Sequence, residues 1–395
     1  MENINTDRFF DDCWKLRERT EQVYIYGGGI YGQNVQKVLE KRGIQVDGFV
    51  VTKGAENQKA GLPIINIQEV IHKNIGLIIG MNPHNARKAK EYLVQNAFDM
   101  GRVINGGAYL DKTDKREQTE DIPAMQITTR VGCRIQCRYC PQDLFVNRYF
   151  ENDKDRVSMM SLQTFETCLT KLPENCVIMF AGMTEPFLNP DCTEMLKMAC
   201  DSGRRVELYT TLVGASMDDI EQMLKLPISY VLLHVADRYQ YARIPVTEDY
   251  LHKLKILADA EKKDGTPFIN FCNAQDKPDE KAVQILGENY EVFSSLQDRA
   301  GALDDDRLIR RKTPQGKISC TECGQQLNHN VLLPDGTVIL CCNDYGMKHV
   351  LGNLLQSSYE EIMHGECSSF IKRGMTQDFK ADILCRQCSY ANLAE

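Results

Sequence analysis

The sequence has little of what would place it in a membrane or on a nucleic acid. It has no apolar run long enough to span a bilayer. Its first twenty residues lack the apolar core of a secretory signal peptide. Positive charge is not in excess, because the formal net charge is -8 at pH 7. We therefore expect a cytoplasmic protein with no nucleic-acid partner and no membrane partner.

Internal repeats and low-complexity tracts are also lacking, and the 395 residues predict two or three folded domains. Cysteine is the residue type in excess, with sixteen copies. Disulfides are rare in a reducing compartment, so this many thiols indicate metal binding.

The hydrophobic pattern of residues 1–112 predicts a doubly wound α/β domain of the Rossmann-like kind. Strands are predicted at 23–26, 46–51 and 77–80, and helices at 31–41 and 86–96. Between the first strand and the first helix, Gly27, Gly29 and Gly32 form the Gly-x-Gly-x-x-Gly fingerprint of dinucleotide-binding turns. The acid that would hold a ribose about twenty residues later is missing, which argues against NAD. We expect either a nucleotide or nucleotide-sugar ligand here, or a purely structural or docking domain.

Residues 113–122 are charged and nearly free of apolar side chains, which is typical of a linker. From 123 to 304, strands and helices alternate again and predict a parallel (β/α)6 partial barrel, so the fold class is α/β. Strands are predicted at 125–128, 177–180, 206–210, 230–234, 268–271 and 292–296. In such folds the chemistry lies at the carboxyl ends of the strands.

Three cysteines follow the first predicted barrel strand, in the run Cys133-Arg-Ile-Gln-Cys137-Arg-Tyr-Cys140. A [4Fe–4S] cube takes four thiolates, so three would leave one iron open to a small chelating ligand. Tyr139 is placed to pack against a flat ring of that ligand. The alternative is a zinc site, which requires four ligands, and this segment offers no nearby fourth.

The Cys-x3-Cys-x2-Cys spacing, with an aromatic residue before the last cysteine, resembles the signature of the radical S-adenosylmethionine (SAM) superfamily. This resemblance implies that the amino and carboxylate groups of SAM chelate the open iron. It also implies that one electron splits a carbon–sulfur bond of SAM, and that the 5′-deoxyadenosyl radical abstracts hydrogen from a substrate carbon. The protein's part is to position the cofactor. A reductant such as flavodoxin or ferredoxin is then an expected partner.

Further motifs of the same family lie at later strand ends. The run from Gly182 through Glu185 is similar to the family's Gly-Gly-Glu-Pro motif, with a methionine in place of the second glycine. The resemblance implies that Gly182 and Glu185 bind the amino group of SAM. Thr210 and Thr211 resemble the position that contacts the ribose. Arg299 lies in a segment similar to one that precedes the auxiliary domain of many members.

The C-terminal residues 305–395 are rich in cysteine, and a hairpin turn is predicted at 334–336. Their order resembles the auxiliary-cluster domain called SPASM, or its shorter form, twitch. One auxiliary [4Fe–4S] cluster is expected, because the sequence ends soon after the last cysteine pair. The expected ligands are Cys323, Cys341, Cys385 and Cys388. Cys320 and Cys342 compete with the first two of these, and a zinc ribbon is the alternative for the whole domain.

Three side chains near predicted strand ends are candidates for substrate chemistry. His234 and Asp237 follow the fourth strand, and Cys272 follows the fifth. His234 or Asp237 could take a proton during an alcohol oxidation, and Cys272 could return a hydrogen atom during an epimerisation. A packing or hydrogen-bonding role is the alternative for each.

The expected substrate is a sugar, an aminocyclitol or a nucleotide-linked sugar. The reasons are the twitch-like single cluster and the nucleotide-shaped N-terminal domain. The alternative substrate is a ribosomally made peptide, although enzymes of that kind often carry a winged-helix domain where this chain has a Rossmann pattern. A non-catalytic iron–sulfur or zinc scaffold is the alternative of another class.

Overall fold

The computed structural model describes most of the chain. The described residues are 6–52, 58–59, 61–81, 83–106, 122–151, 153–263, 267–287, 290–293, 298–303 and 315–394. Most of the predicted linker, 113–121, lies outside them, as do 305–314 of the predicted C-terminal domain. No described helix has both the length and the apolar character needed to cross a membrane.

The first of two compact units contains the described residues of Met1–Glu117, Ala258–Cys272 and Val283–Val292. Its sheet strands are β1 (Gln22–Tyr26), β2 (Gly48–Val51), β3 (Gln58–Lys59), β4 (Leu62–Asn66), β5 (Ile75–Ile79) and β6 (Val103–Asn105). Its first helices are α1 (Thr6–Arg19), α2 (Ile30–Lys41), α3 (Ile67–Val70) and α4 (Pro83–Gln95). The strand order is β3-β4-β2-β1-β5-β6, and every pair is parallel except β3 with β4.

Side chains alternate along each strand, so they point to both faces of this sheet. Both faces are buried under hydrophobic residues. Ile25 of β1 packs with Leu39 of α2 on one face. Tyr26 of β1 packs with Leu93 of α4 on the other. A strand covered on both faces must be apolar throughout, which is why β1 has an unbroken apolar sequence from Val23.

The glycine turn connects β1 to α2, and it leaves no room for a side chain at Gly27 or Gly32. Gly27 has a φ of +113°. A Cβ on Gly32 would lie 1.8 Å from the carbonyl oxygen of Gly27. Gly29 is the N-cap of α2. Because glycine has no side chain, no side-chain oxygen accepts from the first amides of the helix. Close packing of strand and helix is therefore a sufficient reason for Gly27 and Gly32, whatever this turn binds.

The remaining elements begin with the predicted barrel. Its strands are β7 (Ala124–Ile127), β8 (Val177–Phe180), β9 (Val206–Thr210), β10 (Tyr230–His234), β11 (Phe271–Gln275) and β12 (Glu291–Phe293). Its helices are α5 (Gln142–Phe150), α6 (Leu162–Lys171), α7 (Cys192–Asp201), α8 (Met217–Met223), α9 (Glu248–Asp259) and α10 (Glu280–Leu286). Strands β7 to β12 neighbour one another in chain order, and β7 to β10 are parallel. This is the strand order that the sequence predicts for a partial barrel.

Two barrel strands differ in position from the sequence prediction. The strand predicted at 268–271 lies at Phe271–Gln275. Phe268 and Ile269 are fully buried but precede the strand, so their apolar character reflects burial rather than strand pairing. The strand predicted at 292–296 is Glu291–Phe293, and 294–296 lie outside the described residues.

The C-terminal region continues the barrel sheet. Its strands are β13 (Ile318–Cys320), β14 (His329–Leu332), β15 (Thr337–Ile339), β16 (Val350–Asn353) and β17 (Ala391–Leu393), and its helices are α11 (Tyr359–Met363) and α12 (Glu366–Thr376). The predicted hairpin joins β14 to β15, with Gly336 at a φ of +84°. Strand β14 pairs in parallel with β7, so Leu332 lies beside Ile127. The second compact unit accordingly contains both this region and most of the barrel.

The glycine turn yields a matched pair of substitutions. Gly32→Ala forces a Cβ against the Gly27 carbonyl and should lower the free energy of unfolding of the first unit by about 3 kcal/mol. Gly28→Ala should leave stability within about 0.5 kcal/mol of wild type, since its Cβ would meet only ordinary contacts. Denaturant unfolding followed by the fluorescence of Trp14, the single tryptophan, measures both. Equal stabilities of the two variants would contradict this account of the turn.

Candidate active site

The three clustered cysteines lie on the loop between β7 and α5, at the carboxyl edge of the parallel sheet. Cys133, Cys137 and Cys140 are each half-buried free thiols. The charge of Cys140 raises the pKa of both Cys133 and Cys137, and the charge of Cys133 raises that of Cys137, so the three sulfurs lie within electrostatic range of one another. The structure therefore brings together the three residues that the spacing singled out.

Burial dominates the proton affinity of these thiols. It raises the pKa of Cys137 to about 12, and the charge of Cys140 adds to the effect. Burial also raises the pKa of Cys133, although hydrogen bonds from the backbone amides of Ile135 and Glu185 partly offset it. Cys133 and Cys137 are therefore protonated when no metal is bound, so cluster binding must release their protons.

Gln142, the first residue of α5, fixes this loop, and sequence reasoning missed it. Its carbonyl oxygen accepts from the backbone amide of Cys133 at 3.2 Å. Its amide nitrogen donates to the backbone oxygen of Met183 and lies 3.6 Å from the sulfur of Cys140. The side chain is buried. Gln142 thus joins the cysteine loop to the loop that follows β8.

The loop after β8 begins at Gly182, which has a φ of +74°. A Cβ at this position would lie 2.5 Å from the hydroxyl of Thr128, at the end of β7. That hydroxyl instead accepts a hydrogen bond from the amide of Met183 at 3.1 Å. Glycine is therefore required here by the close approach of two loops, which agrees with its place in the predicted motif.

Glu185 is the buried acid of the site, with 4% of its surface exposed. Its carboxylate accepts from the hydroxyl of Thr210 and from the amide and hydroxyl of Thr211, each at 2.6 Å. The amide of Phe187 donates to it at 3.3 Å. Burial raises the pKa of Glu185, and these donors oppose that rise. Three residues predicted for SAM binding thus meet in one hydrogen-bonded group.

Thr129 and Asn189 hold the two loops together, and neither was predicted. The Thr129 hydroxyl donates to the backbone oxygen of Pro186 at 2.8 Å. The Asn189 amide donates to the backbone oxygens of Thr129 and Met160, both at 2.9 Å. Polar residues directly after an apolar strand were the available sequence signal.

Asp237 organises the loop after β10. Its carboxylate accepts from the backbone amides of Tyr239 at 3.0 Å, Tyr241 at 2.8 Å and Ala242 at 2.7 Å. The side chain is buried. The same loop accepts the amide of Arg138 at 2.8 Å through the backbone oxygen of Tyr241. Asp237 therefore orders the loop whose Tyr241 oxygen accepts this amide of the cysteine loop, and its role as a proton acceptor stays a prediction.

His234, the last residue of β10, is half-buried and pairs through Nδ1 with the side-chain oxygen of Asn273. Burial lowers the pKa of His234, and this hydrogen bond opposes the change. Pairing with a carbonyl oxygen places the proton on Nδ1, so Nε2 carries a lone pair. The ring is neutral at pH 7 and is chemically suited to accept a proton.

Cys272 is the second residue of β11 rather than the residue after a strand, so its predicted place at a strand end is wrong. It is buried, and burial raises its pKa to about 12. Side chains alternate along a strand, so Cys272 and Asn273 point to opposite faces. Its role as a hydrogen-atom donor stays a prediction.

Tyr139 and Arg299 were predicted to contact the cofactor. The Tyr139 hydroxyl hydrogen-bonds to the thiol of Cys137 and lowers its pKa. Arg299 has a φ of +49°. Burial would lower the pKa of its guanidinium, but the nearby Tyr345 and Cys342 raise it. Arg299 therefore stays charged beside the cysteine groups.

The C-terminal cysteines form a second group. Cys323 hydrogen-bonds through its thiol to Cys320, and its pKa is raised by this contact, by burial and by the charges of Cys341 and Cys385. Cys388 interacts electrostatically with Cys320 as well. The four predicted auxiliary ligands thus lie in one neighbourhood, and Cys320 shares it.

Cys341 and Cys342 are consecutive in the chain, but their thiols have different neighbours. Cys341 feels the charges of Cys385 and Cys388 in addition to that of Cys342. Cys342 interacts with one of these two, Cys388, but also with the charge of Arg299, and it hydrogen-bonds to the side chain of Gln126 in β7. This difference favours Cys341 as the auxiliary ligand.

Both donor sets fit iron–sulfur clusters. Thiolates are the usual ligands of a four-iron cube, which takes one at each iron. A zinc ion instead needs four ligands within about 2.3 Å of one point.

Comparison with known proteins finds one family that matches part of the chain. Residues 323–389 match the SPASM family, an iron–sulfur cluster-binding domain. No curated protein sequence is similar enough to match.

Solved structures of moderate similarity include three named proteins. BtrN in complex with AdoMet and 2-DOIA is 17% identical, covers 69% of this chain and 93% of its own, and has a TM-score of 0.43. The structure of anSMEcpe with bound AdoMet is 12% identical, covers 68% of this chain and 84% of its own, and has a TM-score of 0.38. The structure of Streptococcus suis SuiB bound to the precursor peptide SuiA is 10% identical, covers 99% of this chain and 88% of its own, and has a TM-score of 0.44. TM-scores below 0.5 are too low to argue from.

The SPASM match confirms an iron–sulfur domain at the predicted C-terminal position. An iron–sulfur cluster in this region is therefore a cofactor of the chain. The matched residues 323–389 identify the C-terminal region as a SPASM iron–sulfur cluster-binding domain, and the three-cysteine loop after β7, with the buried Glu185 beside it, lies in the same compact unit.

Proposed function

We propose that this chain is a radical SAM enzyme that oxidises a hydroxyl-bearing carbon of a sugar, an aminocyclitol or a nucleotide-linked sugar. The observation that carries this proposal is His234, a neutral imidazole at the end of β10 with its lone pair on Nε2. Oxidation of an alcohol needs a group that accepts the hydroxyl proton, and a neutral histidine is suited to that task.

We assign the cofactor contacts residue by residue. Cys133, Cys137 and Cys140 would hold the SAM-binding cluster, with Tyr139 against SAM. When bound, the cluster and SAM supply a 5′-deoxyadenosyl radical after transfer of one electron, from a donor such as flavodoxin or ferredoxin. The Glu185 carboxylate, held by Thr210 and Thr211, would orient SAM near Gly182, and Arg299 would face its anionic end.

The overall change to the substrate is a two-electron oxidation. The 5′-deoxyadenosyl radical would take a hydrogen atom from the substrate carbon and become 5′-deoxyadenosine. Nε2 of His234 would accept the hydroxyl proton, and the auxiliary cluster would serve as acceptor of the remaining electron, which leaves a carbonyl. An epimerase would instead need a hydrogen-atom donor, and Cys272 lies on the face of β11 opposite to Asn273, the partner of His234. Oxidation is therefore favoured over epimerisation.

The N-terminal domain is the reason for including nucleotide-linked sugars among the proposed substrates. Helix α2 starts at Gly29 without a side-chain cap and without an acid in its first turn. Uncapped amides at a helix start attract anionic groups such as phosphate. Gly27, Gly29 and Gly32 would then approach the phosphate of a nucleotide or nucleotide-sugar.

The many free thiols fit a reducing cytoplasmic location.

The substrate class is tested by offering reconstituted, reduced protein and SAM a panel of aminocyclitols, sugars and nucleotide-linked sugars. Oxidation yields a product that is two hydrogen atoms lighter, together with one 5′-deoxyadenosine per turnover, by mass spectrometry. Conversion of a peptide, with every member of the panel left unchanged, would overturn the proposal.

The cluster assignment predicts the iron content. Wild-type protein should bind about eight irons, from two four-iron cubes. Replacing Cys133, Cys137 and Cys140 together with alanine should leave about four irons and abolish 5′-deoxyadenosine formation. Cys168→Ala, which changes a buried thiol in α6, is the control and should keep both. Retained SAM cleavage in the triple variant would be fatal to the assignment.

The auxiliary ligand set of Cys323, Cys341, Cys385 and Cys388 predicts different outcomes for two adjacent cysteines. Cys341→Ala should reduce the iron content to about four per chain, because it removes a ligand of the auxiliary cube. Cys342→Ala should retain about eight, because this thiol faces Arg299 and Gln126 instead. Iron analysis and Mössbauer spectra after anaerobic reconstitution distinguish the two variants. The reverse pattern would assign the ligand to Cys342.

The neutral state of His234 predicts the pH dependence. Since burial lowers its pKa from 6.5, product formation should be constant across the neutral range and should fall only at more acidic pH, as the ring gains a proton. His234→Gln should still form 5′-deoxyadenosine but release little oxidised product. Nitrogen-15 shifts of the imidazole should show a protonated Nδ1 at pH 6.5. A charged ring at that pH would contradict this role.

A further inference from the structure

We propose that the hydroxyl of Tyr345, in the C-terminal region, donates a hydrogen bond to the Cys140 thiolate and raises the reduction potential of the SAM-binding cluster. The inference rests on the assignment of Cys140 as a cluster ligand and adds a positioning residue that acts through it. The two residues are 205 positions apart in the sequence, and the oxygen lies 3.4 Å from the sulfur.

Apolar packing fixes the ring of Tyr345. The side chain is 5% exposed and belongs to one hydrophobic cluster with Val131, Phe145 and Ile339. The sulfur-bearing side chain of Cys140 packs against the same cluster. The packing that buries the ring therefore also holds its hydroxyl beside the Cys140 sulfur.

The backbone that carries Tyr345 is fixed as well. Asp344, which is fully buried, accepts from the amides of Lys348 and His349, both at 2.8 Å. Its own amide donates to the backbone oxygen of Cys341 at 3.0 Å. The Tyr345 hydroxyl is therefore aimed by a short turn that begins at a proposed auxiliary ligand.

The direction of the hydrogen bond follows from the chemistry of an iron ligand. A cysteine sulfur bound to iron has lost its proton and can only accept, so the phenol must donate. The side-chain nitrogen of Gln142 approaches the same sulfur at 3.6 Å. Cys140 thus receives one donor from its own loop and one from the SPASM-containing region.

Donors to a ligating sulfur change the potential of a cluster. Reduction adds negative charge, part of which resides on the sulfurs, and a hydrogen bond stabilises it. Removing the donor should make the cluster harder to reduce. Because the turn starts at Cys341, emptying the auxiliary site should loosen Tyr345 and lower the potential in the same direction.

Tyr345→Phe tests this directly, since it removes the hydroxyl and keeps the ring. The measurement is an anaerobic redox titration followed by electron paramagnetic resonance, in which the SAM-binding cluster is recognised by the change of its signal on adding SAM. We expect a lower midpoint potential in Tyr345→Phe at unchanged iron content. Pulsed measurements in deuterated water should show a weaker exchangeable-deuteron coupling to that cluster.

Tyr149→Phe is the matched control. Tyr149 belongs to the same hydrophobic cluster, but its hydroxyl donates to the backbone oxygen of Val157 at 2.5 Å. Its potential and deuteron coupling should equal those of wild type.

An unchanged potential in Tyr345→Phe would overturn the inference, and so would loss of iron or of folding, which would show a structural role instead. A protein whose clusters give no SAM-dependent signal would refute the proposed function rather than this contact.

Discussion

A four-iron cube held by only three thiolates leaves one iron for a ligand that the protein does not supply. The rest of the site follows from that constraint. The three sulfurs must come from one loop, that loop must be held rigidly, and the neighbouring loops must present groups that orient the missing ligand. The cysteine loop after β7 and the loops after β8 and β9 meet these conditions at one edge of a parallel sheet.

Hydrogen bonds that cross between loops meet the requirement for rigidity. Gln142, Thr129 and Asn189 join the first two loops, and Glu185 is shared between the second and third. Asp237 fixes the loop after β10, to which the cysteine loop donates a backbone amide. A buried carboxylate surrounded by donors is stable only while those donors stay in place, so each loop depends on its neighbours.

Local patterns predicted what local sequence controls. The cysteine spacing, Gly182 with Glu185, and the apolar strands β1, β2, β5 and β7 to β10 were readable because each depends on residues close together in the chain. The strands β3, β4 and β6 were not predicted. The contact of Tyr345 with Cys140 was not readable, because packing alone brings these distant residues together. The β11 strand was misplaced because Phe268 and Ile269 are buried outside any strand. The pairing of β14 with β7, likewise, left no periodic signal in either segment.

The central claim is that one iron of the first cube is open to SAM, and spectroscopy of that iron tests it most directly. Electron–nuclear double resonance on the reduced cluster, with SAM labelled with nitrogen-15 at the amino group and carbon-13 at the carboxylate, reports coordination of either group. The account predicts hyperfine coupling to both labels, lost when Cys133, Cys137 and Cys140 are replaced. A cube in wild-type protein that shows no coupling to bound SAM, with four protein ligands on its irons, would contradict it.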